Sequence, residues 1–294
     1  MIEGKKMNTY HIYSEGDLVL FRDNSDKIYF NNKFAAVCHK CSVEALGLDI
    51  LSTHFHSVVN AADDSQIEEM ANMLKVSYGL HYRYKYGHPI GNKFKISFPT
   101  ILGKEKIRDK LLYVMTNSVH HFVTDSPFKD QYSSANYIFT SEYLPVNFRQ
   151  ALAGHVTEFG NLPARKQKEL MNADIIPDNY LVAPDGMIWH NSFINVQKTR
   201  LYFNNSFNSF RYHIDTEVKD TRKQSITENR QAVLCDGLDD EVVCREIDLF
   251  AAEHGRKSFH FLSDLEMTDL QNILRLKGIS QEQRRRCLWL KEEK

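Results

Sequence analysis

Leu51-Ser52-Thr53-His54-Phe55-His56-Ser57-Val58-Val59 is the stretch on which the reading of this chain turns. Its β-branched and aromatic residues read as strand. Ser52-Thr53 reads as the tight turn that joins it to a preceding strand, within a Leu46–Asn60 hairpin. Side chains alternate along a strand, so His54 and His56 share one face and Phe55 takes the other. One strand repeat separates the two imidazoles by roughly 6.6 Å of rise. Two imidazoles so placed can grip one divalent ion while the phenyl ring anchors the strand in a core. The same pattern also fits a half-buried strand with ordinary polar partners. With 13 histidines in 294 residues, one His-x-His is no surprise by itself.

Working outward, Asn8–Tyr13 alternates as a strand. Asp26–Ala45 carries Ile28, Phe30, Phe34, Val37 and Cys41 near helical spacing, after the polar turn Asp23-Asn24-Ser25. Ser65–Tyr86 is helical, with Ile67, Met70, Leu74 and Val76 in its apolar stripe. Gly87-His88-Pro89 and Gly91-Asn92 punctuate a loop. Lys93–Phe98 alternates again, and Glu105–Val123 is a helix. The order β-α-β-β-α-β-α predicts an α+β domain, an antiparallel sheet covered by helices. It ends near Tyr137–Tyr143, and Pro145, Gly154, Gly160 and Pro163 then change the rhythm. The expected division is 1–145 and 146–294, the second part mainly helical. There, Phe203, Phe207 and Phe210 fall on one helix face. Asp236–Asp248 is an acidic run that reads as a solvated helix start. Asp264–Leu276 and Gln281–Leu290, joined by Lys277-Gly278-Ile279-Ser280, fit a helix-turn-helix at 264–290 that presents Arg284, Arg285 and Arg286. An αα-hairpin with an arginine-rich surface fits the same residues and is the commoner outcome.

The bulk numbers narrow the classes. A hydrophobic fraction of 42% suffices for real cores, and Lys+Arg 37 nearly cancels Asp+Glu 38. Neutrality does not exclude nucleic acid, which needs a basic face rather than a basic protein. No apolar run reaches membrane-span length, and Met1–Met7 lacks the apolar centre of a signal peptide. Five cysteines in a chain this long do not make a disulfide framework. Cys38-His39-Lys40-Cys41 lies inside a helical pattern and reads as ordinary helix cysteines. The expected compartment is the cytoplasm.

Two further features bear on chemistry. Tyr113 and Asn117 stand at i and i+4, on one helix face about 6 Å apart along the axis. A tyrosine can attack a DNA phosphodiester, and an amide oxygen can complete the shell of an ion. Two imidazoles plus one amide oxygen, with water, suit Mg²⁺ or Mn²⁺. The bland alternatives are a helix aromatic packed on the sheet and an amide bonded to solvent. The stretch from Lys75 to Lys110 mixes Lys75, Arg83, Lys85, Lys93 and Lys95 with Tyr78, Tyr82, Tyr84, Tyr86, Phe94 and Phe98. His81 and His88 add donors. Cations track phosphates and aromatic faces stack unpaired bases. A solvated helix face followed by an edge strand is the competing reading.

Taken in order, these segments resemble the single-tyrosine HUH transposases, in particular the REP-associated tyrosine transposase branch. The likeness runs through Tyr10-His11-Ile12, Leu20-Phe21, Asp26-Lys27, Phe30, His54-Phe55-His56, Gly87-His88, Phe94-Lys95, Tyr113…Asn117 and Tyr132-Ser133-Ser134…Tyr137. It spans roughly residues 8–140. It implies a ferredoxin-like or RRM-like sheet, the HUH endonuclease domain. It implies His54 and His56 as metal ligands with Asn117 as third metal-side group, and Tyr113 as the covalent nucleophile. The implied activity is metal-dependent cleavage and rejoining of single-stranded DNA beside hairpins, through a 5′-phosphotyrosine. DNA contacts are then expected from Lys75, Arg83, Lys85, His88, Lys93, Lys95, Arg284 and Arg285. Two positions depart from the family pattern. Leu51-Ser52-Thr53 stands where the family has Met-Pro-Asn, and Asn117-Ser118 where it has Asn-Pro.

Two other readings stay open. One is another HUH enzyme, a relaxase or replication initiator, although the chain has no GxxxxGK[ST] motif. The other is a domesticated DNA-hairpin regulator that keeps the fold without the chemistry. Related enzymes draw the nucleophile helix from the same subunit or from a partner, so a homodimer is also compatible.

Overall fold

The computed structural model describes residues 7–121, 123–139, 156–171, 175–227 and 239–290. Its centre is an antiparallel sheet of β1 (Asn8–Glu15), β2 (Glu44–Ile50), β3 (Phe55–Ala61), β4 (Lys95–Ser97) and β5 (Thr100–Ile101). The order is β2-β3-β1-β4, with β5 also paired to β1. β3 therefore lies between β1 and β2, and β1 between β3 and β4. Two β-α-β units are interlocked, each split by a strand of the other. The helices that follow β1 and β3 are α1 (Asn24–Lys40) and α2 (Asp64–Tyr86). After β5 comes α3 (Lys104–His120). The expected α+β class with an antiparallel sheet is what the chain forms.

Local chemistry sets the boundaries. Asp23 and Asp63 cap α1 and α2, their carboxylates accepting from Asp26 N and Gln66 N. Gly87, at φ 74°, ends α2 in the left-handed conformation favourable to glycine. α1 stops at Lys40, short of the expected Ala45. Ser42 turns left-handed, at φ 53°, and the chain enters β2, whose pairing with β3 outweighs the helical spacing. Leu51 N donates to His54 O at 2.9 Å, closing the expected turn between β2 and β3.

The two faces of the sheet are unlike. Phe55 points to α1 and α2, with ring centroids 4.6 Å from Phe30 and 6.3 Å from Phe94. Leu20, Phe34, Tyr78 and Leu74 complete that core. α3 covers the other face across β2 and β3. Gly47 permits the approach: a Cβ there would stand 3.2 Å from Leu111 Cδ2. Ser134 pins the following segment to β2, its N donating to Leu48 O at 2.8 Å and its Oγ accepting from Leu48 N at 3.1 Å.

The later chain adds α4 (Ala135–Ile138), α5 (Ala164–Met171), α6 (Val196–Leu201), α7 (Phe207–Thr227), α8 (Asp240–Glu253), α9 (Asp264–Leu276) and α10 (Gln281–Leu288). The expected boundary near 145 lies outside the described residues, as do Cys235 and Asp236. The main core draws on both sides of it, since Phe193, Phe203 and Phe210 join Phe34 and Phe139. Phe203, Phe207 and Phe210 do not share one helix. Asn204 and Asn205, at φ 56° and 52°, break the chain before α7.

A second, smaller core joins α8, α9 and α10 to Val19. Arg22 is buried at this seam, donating to Asp248 Oδ1 at 2.8 Å and to Cys287 O at 2.9 Å. The acidic run is thus more than a solvated helix start. Asp248 holds Arg22, and Asp240 holds Arg286 at 2.8 Å. Both expected C-terminal helices form, with Gly278 left-handed between them at φ 82°. The cysteines of the Cys-x-x-Cys are free, and burial raises both thiols above their ordinary range. Among the described residues, no helix is long and apolar enough to cross a membrane.

Candidate active site

Strand register builds the site. Tyr13 on β1 and Asp49 on β2 both oppose His56 on β3. His11, two residues before Tyr13, shares that face. His54 sits just ahead of β3, and its ring centroid is 4.9 Å from that of His56. α3 lays Tyr113 and Asn117 across the same face. The Tyr113 ring stands 5.2 Å from His56 and 6.2 Å from His11, edge-on to both. Asn117 Nδ2 is 3.3 Å from His54 Nε2 and donates to Asp49 Oδ2 at 3.1 Å. The four residues expected at the centre are therefore neighbours, and Tyr113 reaches the histidines within one chain.

Other groups complete the cluster. His11 Nε2 lies 3.0 Å from His56 Nδ1, and Thr53 Oγ1 lies 2.7 Å from His54 Nδ1. The His121 ring is 4.6 Å from His54. Lys110 Nζ stands 4.5 Å from the centre of the Tyr113 ring. His120 faces Tyr113 at 5.3 Å and ties α3 to α7 through Thr221 Oγ1 and Glu217 Oε1, at 3.0 and 3.3 Å.

Burial governs the charges. His54 and His56 are each 7% exposed. Desolvation, with neighbouring His121, lowers His54 to about 3; desolvation, with His54 and His11, lowers His56 to about 2. Desolvation and Lys110 lower His11 to about 3. All three rings are neutral at pH 7, the state a metal ligand requires. Burial and the neighbouring Asp130 push Asp49 well above the usual carboxylate range. The Tyr113 phenol is raised by burial, with Asp49 and Tyr13 adding to it.

The donor set can be tested against a divalent ion. Asn117 Oδ1 and Asp49 Oδ1 are buried with no hydrogen-bond partner, beside two neutral imidazoles. Two nitrogens and two oxygens of this kind fit Mn²⁺, and Mg²⁺ with retained water. The fit is one of donor chemistry: among the described residues, no three His, Cys, Asp or Glu side chains already stand in metal-binding geometry.

The remaining expected contacts scatter. Lys95 on β4 opposes Glu15, and Ser97 opposes Tyr13, so Lys95 falls on the histidine face. Lys75, Arg83 and Lys85 lie on α2, against the opposite face. Lys85 is bound to Asp23 and Asp26 at 2.7 and 2.8 Å. Lys93 lies over Trp289 at 4.4 Å, and His88 stacks on His260 at 4.2 Å. Arg285 pairs with Asp17 and Glu282 at 3.0 and 2.7 Å, and Arg284 binds Ile279 O. Tyr78, Tyr82, Tyr86 and Phe94 are buried in the core and cannot stack bases, whereas Tyr84 is exposed. On α2, Tyr78, Tyr82 and Tyr86 stand at every fourth residue and turn inward, and Tyr84 falls between them on the outer side. The sequence reading passed over His11, Asp49, His121 and Lys110 as site residues. Asp49 had a usable signal, a lone carboxylate between Leu48 and Ile50 in an apolar strand.

No protein-family model matches the chain, and no curated protein does. Among solved structures, the chain is similar to one described as "Structure of the REP associates tyrosine transposase bound to a REP hairpin". Identity is 13% and the TM-score 0.36, over 49% of this chain and 89% of that one. The likeness is distant.

Proposed function

We propose that this chain is a metal-dependent single-stranded DNA endonuclease and strand transferase of HUH type, a transposase, built on a ferredoxin-like sheet. The observation that carries the reading is the meeting of His54, His56, Asn117 and Tyr113 on one sheet face. His54, His56 and Asn117, joined by Asp49, would hold Mg²⁺ or Mn²⁺. The bound ion would supply Lewis-acid polarisation of a scissile phosphate. Asn117 now turns Nδ2 toward His54, and a half-turn of the amide would exchange it for the unpartnered Oδ1. Tyr113 would attack phosphorus and form the 5′-phosphotyrosine as the P–O3′ bond breaks; the phenol's proton would pass to water, and water would return one to the leaving oxygen to give the 3′-hydroxyl. Lys110, over the phenol ring, would favour the phenolate. The partner is single-stranded or hairpin DNA.

The test is incubation of the full chain with single-stranded hairpin DNA and Mn²⁺. A covalent protein–DNA band is expected. Tyr113→Phe abolishes it, and His54→Ala loses cleavage while keeping much of the binding. A second reading, a non-cleaving DNA-hairpin regulator, is favoured by the deep burial of the imidazoles and the raised phenol. Tight binding to cognate hairpin DNA without any covalent band would select it.

A further inference from the structure

A neutral imidazole carries its proton on one nitrogen only, and the partner of either nitrogen decides which. For His54 the partners decide it. The Asn117 amide nitrogen donates and cannot accept, so His54 Nε2, 3.3 Å away, bears a lone pair. The His54 proton is then on Nδ1, facing Thr53 Oγ1 at 2.7 Å. His56 depends on a different neighbour. Its Nδ1 lies 3.0 Å from His11 Nε2, the two rings are within 18° of parallel, and one hydrogen serves the pair. At that separation there is room for one hydrogen, so the two facing nitrogens cannot both be donors.

We propose that His11 is a positioning residue: it accepts the hydrogen of His56 Nδ1 and so leaves the lone pair of His56 on Nε2, matching His54. Two adjacent residues, Thr53 and His11, then hold both strand imidazoles in the same tautomer. With the opposite hydrogen, His56 would present an N–H beside the lone pair of His54, and the two rings could not serve one cation through Nε2. The direction of this hydrogen rests on the metal reading above, since the 3.0 Å contact accommodates either one. Register explains why His11 can reach. It lies two residues from Tyr13, which opposes His56, so its ring meets His56 diagonally across β1 and β3.

The experiment is long-range ¹H–¹⁵N NMR of ¹⁵N-histidine-labelled full chain without metal, where protonated and bare ring nitrogens are told apart by shift. His54 and His56 should both show Nδ1–H. In His11→Phe, His56 should lose the pure Nδ1–H pattern while His54 keeps it. Affinity for Mn²⁺ alone, measured by calorimetry, should fall about 10- to 100-fold, the usual loss on removing a ligand's outer partner. His11→Gln, whose amide oxygen can accept, should restore both readouts. An Nε2–H pattern at His56 in the wild type overturns the proposal, and so does a His11→Phe protein unchanged in tautomer and Mn²⁺ affinity. If His11→Phe does not fold, the wild-type spectrum alone decides. Absence of a DNA adduct alongside Nδ1–H would remove the proposed function and leave this inference standing; an adduct alongside Nε2–H would do the reverse.

Discussion

β3 and the residue just ahead of it carry two chemistries on opposite faces. Phe55 faces a dry aromatic core of Phe30, Phe34, Tyr78 and Phe94, while His54 and His56 face Asp49, Tyr113 and Asn117 beneath α3. Both faces are largely buried, so exposure does not separate them. What separates them is satisfaction. The aromatic face gains stability from burial of apolar area. The histidine face desolvates three imidazoles and leaves Asn117 Oδ1 and Asp49 Oδ1 without partners, which costs stability. A fold that keeps such a face intact has a reason other than stability to keep it.

The largest expected effect breaks the aromatic side. Phe55→Ala should cost about 3–5 kcal/mol, as buried phenylalanines do, because the ring is fully buried against Phe30, Phe34 and Phe94. Urea denaturation measures it. A loss under 1 kcal/mol would mean that the sheet is not held from this side.

The second effect is on the histidine side and depends on pH. His54 and His56 titrate at about 3 and 2 in the fold, against about 6.5 in the unfolded chain. Well above pH 6.5 neither state takes up the proton and nothing is lost. As pH falls from 6.5 toward 3, the unfolded chain binds the protons first, and stability drops by up to about 1.4 kcal/mol per unit for each ring. Asp49, raised in the fold, works in the opposite direction and partly masks the slope. Comparison with His56→Gln removes that ambiguity. The stability lost between pH 7.5 and 5.5 should shrink by about 1 kcal/mol in the variant. Equal losses in the two proteins would show that His56 is not held neutral.

The two faces were not equally legible in the sequence. Strand periodicity fixed the opposite directions of Phe55 and His56, and helix periodicity put Tyr113 beside Asn117, because both are local properties. The places of His11 and Asp49 beside His56 were not legible, although His11 Nε2 lies 3.0 Å from His56 Nδ1 and Asp49 opposes His56 across β2 and β3. Their proximity arises from pairing across β1, β2 and β3, and no local spacing encodes that register. The expected cations scatter for a related reason. Lys75, Arg83 and Lys85 cluster in sequence with Lys95, yet a helix and a strand carry them to different faces of the sheet.

That divergence gives the smallest effect, and it tests which face meets DNA. Each lysine that neutralises a phosphate contributes about one unit to the slope of log affinity against log salt. Lys95 lies on the histidine face at the β4 edge, and Lys75 on the exposed side of α2. If single-stranded DNA runs across the histidine face, Lys95→Ala should lower the salt slope by about one and Lys75→Ala should leave it unchanged. Both residues are exposed, so neither change should alter stability by more than about 0.5 kcal/mol, and a folding defect cannot imitate the result. The reverse outcome would put the DNA on α2, behind the sheet, where no strand could present a phosphate to Tyr113.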